Sequence, residues 1–276
     1  NLQYDQNHSI RWRFWTTLIE AKGAFVMKRV VLSFDDGRRD FYTYVYPELL
    51  KRGLGATLNV ATGYIDGSVP CPFTPCAISE IKEMHEHGIE MASHSDSHTA
   101  GITSADVKTS LDKLENWIGA RPVGLALPFN QKPSDDLLGS LSNLGIRYFR
   151  RGDKNNVGPI RRRITMLFKK RYDTPAFFIK KQKINITKKM SSSKVNVFYS
   201  CFVMNCFDVD VYKKVIDLLN DNESLVLMFH SVVPPSEIAK NDFVNGAYTI
   251  DDFVSLLDYI QSKDNIRIVR NVDLVK

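Results

Sequence analysis

The strongest constraint on the fold is a repeated alternation between strand-like apolar runs and helical patterns. The run Arg29–Phe34 predicts a strand rich in β-branched residues, and the helix that follows it ends at Gly53. Further strands are predicted near 56–60, 89–92, 123–127, 146–149, 195–202, 225–229 and 266–269, and helices at 42–52, 78–87, 104–118, from 133, 209–220 and 250–261. Such alternation is typical of βα units that build a parallel sheet or barrel. We therefore predict an α/β fold in which chemistry gathers at the carboxyl ends of the strands.

The predicted domain covers residues 27–276, because no low-complexity linker divides it. Met27 directly precedes the first strand and is a candidate initiator, so residues 1–26 are expected to be an extension outside the fold. Charged residues interrupt this extension, and no apolar core of a secretory signal can be drawn in it. Two localisations stay open: cytoplasmic, or secreted or periplasmic if the chain was trimmed.

The basic residues are concentrated in one segment. The net charge is +6, yet residues 161–194 contain twelve lysines and arginines and one acid, Asp173. Such a segment can contact an anionic glycan or a membrane surface, or it can be a solvated insertion. No nucleic-acid motif accompanies it, and we expect no nucleic-acid partner.

The four cysteines form two Cys-x4-Cys pairs, Cys71 with Cys76 and Cys201 with Cys206. They are too few for a disulfide scaffold, and the spacing differs from the Cys-x2-Cys of common zinc modules. We expect ordinary thiols, and whether they pair stays open.

Polar side chains follow three of the predicted strands. Asp35 and Asp36 come after the first strand, His94 and His98 after the third, and His230 ends a late strand. Each signal is weak alone, since Asp-Asp-Gly is a common turn and a single histidine is more often structural. If the loop after the third strand turns helically, both of its histidines lie on one face. Together with an aspartate they supply an open metal site, and His230 is a candidate acid or base.

These motifs resemble those of the polysaccharide deacetylases, carbohydrate esterase family 4. Ser33–Gly37 matches the family's Thr/Ser-Phe-Asp-Asp-Gly, and His94–His98 matches its His-Ser/Thr-x-x-His. Its Leu-x-His ending is matched loosely by Met228–His230, with Leu227 shifted by one position. Three pieces in the right order make the resemblance specific, and it spans roughly residues 28–275.

The resemblance implies a distorted (β/α) barrel and a divalent metal, commonly zinc, held by Asp36, His94 and His98. Asp35 is then the base that activates the attacking water, and His230 protonates the departing amine. A backbone N–H near Pro128 or Phe129 is implied to stabilise the oxyanion, and Tyr64 and Phe129 are candidates to line a sugar subsite.

The chain departs from the family pattern in two places. The arginine that usually precedes the proline of a third motif is absent from Leu125–Asn130, and Arg163 resembles a later arginine that can orient the base instead. The Asp-x-x-Asp-Trp motif is also absent, which leaves Asp208 or Asp210 as candidate partners for His230.

The predicted function is the hydrolysis of N-acetyl groups on an N-acetylated sugar or polysaccharide. Two alternatives stay open. One is a metal-dependent amidohydrolase that acts on a non-sugar amide, and the other is a non-catalytic protein that binds a glycan or polyanion through the basic segment.

Overall fold

A computed structural model describes residues 27–152, 195–205, 207–241 and 246–275. The predicted extension at 1–26, the basic segment 161–194 and Arg163 lie outside the described residues.

The core of the fold is a closed parallel barrel. Its strands are β1 (Lys28–Phe34), β2 (Thr57–Val60), β3 (Glu90–Ser93), β4 (Gly124–Ala126), β5 (Tyr148–Gly152), β6 (Asn196–Phe202) and β7 (Ser224–Phe229). Each strand pairs in parallel with the next, and β7 closes the barrel on β1 along residues 29–34. Two short strands, β8 (Ser231–Val233) and β9 (Ala247–Thr249), form a separate pair.

One more strand distorts the barrel. β10 (Ile266–Val269) pairs with the first half of β1 on the side where β2 pairs only at Ser33 and Phe34. β1 and β2 are therefore paired only near their carboxyl ends and are separated towards their amino ends. The predicted distorted (β/α) barrel is confirmed.

Helices follow most of the strands. They are α1 (Tyr46–Arg52), preceded by a π-helical turn at Phe41–Val45, then α2 (Thr62–Ile65), α3 (Ile78–Glu86), α4 (Ser104–Ile118), α5 (Asp135–Leu141), α6 (Val209–Asp217), α7 (Ile238–Asn241) and α8 (Ile250–Gln261). Short 3₁₀ turns lie at Pro128–Asn130, Pro235–Glu237 and Asn271–Leu274. Among the described residues, no helix has the length and apolar character needed to span a membrane.

Local sequence signals set the helix ends. Gly53 and Gly119 end α1 and α4 in the left-handed region, with φ of 64° and 72°, where glycine costs least. The N-cap of α4 is Thr103, whose hydroxyl accepts a hydrogen bond from the Asp106 N–H.

The period of two along the strands separates an outer from an inner face. Val30, Leu32 and Phe34 of β1 belong to the large core shared with the helices. Val31 instead clusters with Tyr148 of β5, which is not a neighbour of β1 in the sheet, so these side chains meet inside the barrel. Apolar side chains thus fill the lower barrel, and residues two positions further along each strand lie above them, nearer the mouth.

Candidate active site

Two histidines and one aspartate converge at the mouth of the barrel. Asp36 follows β1, while His94 and His98 lie in the loop after β3. The Nε2 atoms of His98 and His94 lie 3.2 Å and 3.5 Å from Asp36 Oδ1. In the part of the chain that the structure describes, this is the one group of three such side chains whose ligand atoms lie within 4.8 Å of one another.

The orientation of His94 is fixed by a neighbouring strand. Its Nδ1 lies 2.9 Å from the main-chain oxygen of Ala126, which can only accept, so Nδ1 carries the hydrogen. In a neutral ring, Nε2 then directs a lone pair towards the Asp36 carboxylate. Two electron-rich atoms at this distance need a proton or a cation between them.

The pKa shifts of Asp36 and His94 show that each side chain favours the charged form of the other. Burial raises the pKa of Asp36, but hydrogen bonds from His94 and His98 outweigh it and hold that pKa well below its usual range. Burial lowers the pKa of His94, and the charges of Asp35 and Asp36 raise it further than burial lowers it. The Asp36 carboxylate and the His94 ring therefore stabilise each other's charged form.

The donor set fits a divalent metal such as zinc. Tetrahedral bonds of about 2.0–2.1 Å separate two ligand atoms by roughly 3.3 Å, close to the two distances found here. Two imidazoles and one carboxylate also leave a position open for water or substrate.

The sequence analysis considered a helical turn in the loop that carries the histidines. The structure has no helix there. Ser95 and His98 adopt left-handed conformations, with φ of 68° and 48°, and the Ser95 hydroxyl accepts a hydrogen bond from the His98 N–H. This tight turn, rather than a helix face, directs both rings towards Asp36.

Tyr64 lies behind His98. Its hydroxyl is 3.0 Å from His98 Nδ1, and its ring packs edge-on against Phe73. Metal-bound histidines commonly hold their second nitrogen in this way. Tyr64 is buried, so a direct contact with sugar stays a prediction, while its contact with His98 is in place.

Asp35 lies beside the cluster and is held by an arginine that sequence reasoning missed. Nη2 of Arg150, on β5, lies 2.5 Å from Asp35 Oδ1 and 2.7 Å from Oδ2, and both side chains are buried. Burial raises the pKa of Asp35, but Arg150, with the neighbouring histidines, lowers it below its usual value. Arg150 thus contacts Asp35 in the way that was predicted for Arg163, which lies outside the described residues and whose role stays a prediction.

His230 follows β7 at the same end of the barrel. Burial lowers its pKa, although the charges of Asp36 and Asp35 oppose this. Its ring meets Phe202 edge-on, and its buried Nδ1 has no hydrogen-bond partner among the described residues.

Neither aspartate predicted as a partner for His230 holds its ring. Asp208 caps α6, and Asp210 pairs with Lys213. The predicted partnership is therefore wrong, because these carboxylates serve the first turn of a helix.

A different aspartate ties the loop of His230 to the rest of the site. The hydroxyl of Ser231 donates to Asp40 Oδ2 at 2.7 Å, and Arg38 Nε donates to the same oxygen at 2.9 Å. The loop after β7 is thereby joined to the loop after β1. Nothing in the sequence pattern indicated this link.

An aromatic ring forms part of the rim. Phe129 is 66% exposed and lies with its ring centroid 4.9 Å from that of His98, while Pro128 beside it is buried. Phe129 has a φ of 52°, an uncommon conformation for a bulky residue. Such strained positions cluster at functional sites.

Cys71 and Cys76 form no disulfide, and the Cys76 thiol donates to the Arg38 carbonyl oxygen. Burial raises the pKa of Cys76, so it is an inert core thiol.

The parallel barrel thus carries at its mouth an aspartate–histidine–histidine cluster that can hold a divalent metal, next to the buried carboxylate of Asp35. Residues 22–149 match the family model described as polysaccharide deacetylase. This match confirms the resemblance to the polysaccharide deacetylase family that the motifs predicted.

Solved structures with this fold include members of the same family. A family 4 acetyl xylan esterase from Clostridium thermocellum, in complex with a cobalt ion, is 15% identical with a TM-score of 0.50, covering 89% of each chain. The peptidoglycan deacetylase PdaC from Bacillus subtilis is 13% identical with a TM-score of 0.50, covering 90% of each chain.

A partial match is more similar in sequence. The deacetylase PplD of Streptococcus pyogenes, in complex with acetate, is 26% identical with a TM-score of 0.41. That match covers 45% of this chain and 55% of the streptococcal one. Among curated proteins, no sequence matches this chain.

Proposed function

We propose that this chain is a metal-dependent hydrolase that removes N-acetyl groups from an N-acetylated sugar or polysaccharide. The observation that carries the proposal is a buried carboxylate, Asp35, beside three side chains at the barrel mouth that could hold a metal ion. The match to the polysaccharide deacetylase model supports deacetylation, and the peptidoglycan deacetylase of similar fold supports an N-acetylated glycan as the substrate.

The metal site is assigned to Asp36, His94 and His98, with zinc as the favoured ion. These residues would hold a divalent ion, which would supply Lewis-acid polarisation of the acetyl carbonyl and a pKa of about 7 for the attacking water. The exposed ring of Phe129 flanks the site, and its backbone N–H is the proposed donor to the developing oxyanion.

Asp35 is the proposed general base. It takes one proton from the attacking water, whose oxygen forms a bond to the acetyl carbon. Arg150 keeps this carboxylate ionised and fixes its direction. The low pKa of Asp35 keeps it in the basic form at neutral pH.

His230 is the proposed general acid. When the C–N bond breaks, its electron pair stays on nitrogen, which takes a proton from His230. One water is consumed, and the products are the amine and acetic acid, which ionises to acetate. Because its pKa is lowered, protonated His230 is a strong acid.

Acetate release tests the proposal. The zinc-loaded protein is incubated with N-acetylglucosamine oligomers, peptidoglycan, lipid-linked glycans and small cyclic amides, with and without a chelator. We expect release from at least one N-acetylated glycan, lost with the chelator and restored by zinc. Hydrolysis of the cyclic amides alone would indicate the amidohydrolase, and binding of glycan without hydrolysis would indicate the non-catalytic alternative.

The basic segment 161–194 is proposed to contact an anionic glycan or membrane surface. Replacing Lys180, Lys181, Lys188 and Lys189 with glutamine should weaken binding of a large substrate and reduce its salt dependence. Turnover of a small soluble substrate should barely change. Equal losses on both substrates would indicate a structural segment instead.

A further inference from the structure

Asn59 lies on β2, facing the inside of the barrel just below the mouth, and it is fully buried. Its Nδ2 lies 2.9 Å from Asp35 Oδ1, 3.0 Å from the Phe34 carbonyl oxygen and 2.9 Å from the Ser33 hydroxyl. The carboxylate and the carbonyl can only accept hydrogen bonds. The amide is therefore oriented with its NH₂ group towards Asp35.

The two oxygens of Asp35 differ in their surroundings. Oδ1 faces the amide of Asn59 and the guanidinium of Arg150, whereas Oδ2 faces Arg150 alone among the hydrogen-bond donors described. Oδ2 is also the oxygen near the metal ligands, 3.9 Å from His94 Nε2. Oδ1 is therefore held from two sides, by Asn59 and Arg150, while Oδ2 is the oxygen directed towards the metal ligands.

We propose that Asn59 is a positioning residue for the base. It holds Oδ1 inside the barrel and so turns Oδ2 towards the metal ligands, where Oδ2 takes the proton of the attacking water. In that step the O–H bond of water breaks, its electron pair stays on the water oxygen, and a new O–H bond forms at Oδ2. This inference rests on the proposed hydrolase function.

Packing alone does not require an amide at this position. The Oδ1 atom of Asn59 has no hydrogen-bond partner among the described residues, so its burial carries a cost. Leucine has a similar volume and removes that unpaired oxygen. In Asn59→Leu, removal of that oxygen should offset part of the cost of the three acceptors that lose a donor, while the base is impaired.

The first test separates rate from binding. In Asn59→Leu we expect kcat to fall about ten- to a hundredfold, the range of a hydrogen bond to a charged group. KM and zinc content should stay unchanged. The matched control is Ser33→Ala, which removes another contact of the same amide without touching Asp35, and its kcat should stay near that of the wild type.

A double-mutant cycle tests whether Asn59 acts through the base. In an Asp35→Asn background, adding Asn59→Leu should cause no further loss of kcat. An equal loss in both backgrounds would overturn the proposal, as would an unchanged kcat in the single variant. If Asn59→Leu does not fold, Asn59→Ala enters the same cycle.

The two proposals fail in different ways. A wild-type protein that releases no acetate from any substrate removes the hydrolase function, and the role of Asn59 with it. An active wild type whose kcat is insensitive to Asn59→Leu removes only the role of Asn59.

Discussion

A substitution of Arg150 tests the site well, because its guanidinium is the positive charge that contacts both oxygens of the proposed base, Asp35. We consider Arg150→Met, which keeps an unbranched side chain and removes the charge. The variant loses both contacts to Asp35 and the hydrogen bond from Nη1 to the Ser200 hydroxyl. A buried carboxylate is left without its cation.

The effect on stability follows from this uncompensated charge. Removing one partner of a buried ion pair costs about 3–5 kcal/mol, and the histidines near Asp35 place this variant near the lower value. Removing Arg150 raises the pKa of Asp35 above its value in the wild type, because the first of the charges that lower it is lost. The loss is therefore largest at neutral pH and shrinks as the pH falls through that raised pKa, where the carboxyl becomes neutral.

The catalytic rate of Arg150→Met should fall as well. A misdirected base lowers kcat by about 10²-fold or more. The acid limb of the pH–rate profile should move to higher pH, since the base must lose its proton at a higher pKa. Zinc content should stay near stoichiometric, because the hydrogen bonds described for Arg150 go to Asp35 and Ser200 and not to the three ligands.

The assay combines urea denaturation at two pH values with acetate release across pH, and Arg163→Met serves as the control. We expect Arg163→Met to leave the acid limb in place. A kcat for Arg150→Met within about threefold of the wild type would refute this reasoning. So would an upward shift of the acid limb in Arg163→Met alone, because the predicted role of Arg163 would then hold instead.

Two further predictions concern buried contacts. Tyr64→Phe removes the hydroxyl beside His98 Nδ1, and zinc affinity measured by chelator competition should fall about 10- to 100-fold; unchanged affinity would contradict a role in holding His98. Burial raises the pKa of Glu90 more than the hydrogen bonds from Tyr148 and Thr57 lower it. Glu90 therefore stabilises the fold at low pH, where it is protonated, and this stabilisation is lost as the pH rises through the raised pKa of the folded state. We therefore measure the free energy of unfolding of Glu90→Gln and of the wild type by urea denaturation at about pH 4 and pH 7. The variant should be more stable relative to the wild type at pH 7 than at pH 4, and an equal difference at the two pH values would contradict this.

The regular elements were predictable because their periods are strong. The helix 250–261 and the strand 266–269 lie where the pattern placed them. The π-helical turn after Asp40 and the short pair of β8 and β9 carry no periodic signal and were missed.

Arg150 was missed because the strand was ended too early. The apolar run stops at Phe149, and Arg150-Arg151 resembles a charged surface end, whereas β5 continues to Gly152. Strand alternation could have found it, since Arg150 lies two residues after the inward-facing Tyr148. Its pairing with Asp35, across the barrel, depends on barrel closure and cannot be obtained from local pattern.

The histidine loop shows a similar limit. The spacing of His94 and His98 indicated that both rings approach one point. The path between them depends on the left-handed Ser95, a conformation that serine adopts only under tertiary constraint.

The account is tested most directly by zinc content and acetate release measured on folded Asp35→Asn and Asp36→Asn variants. Asp36 supplies an anionic oxygen to the cluster, so Asp36→Asn should lose both metal and activity. Asp35→Asn should keep near-stoichiometric zinc and lose about 10²–10⁴ in rate, because only the base is removed. Loss of zinc from Asp35→Asn with retention in Asp36→Asn would contradict the assigned roles at the centre of the site.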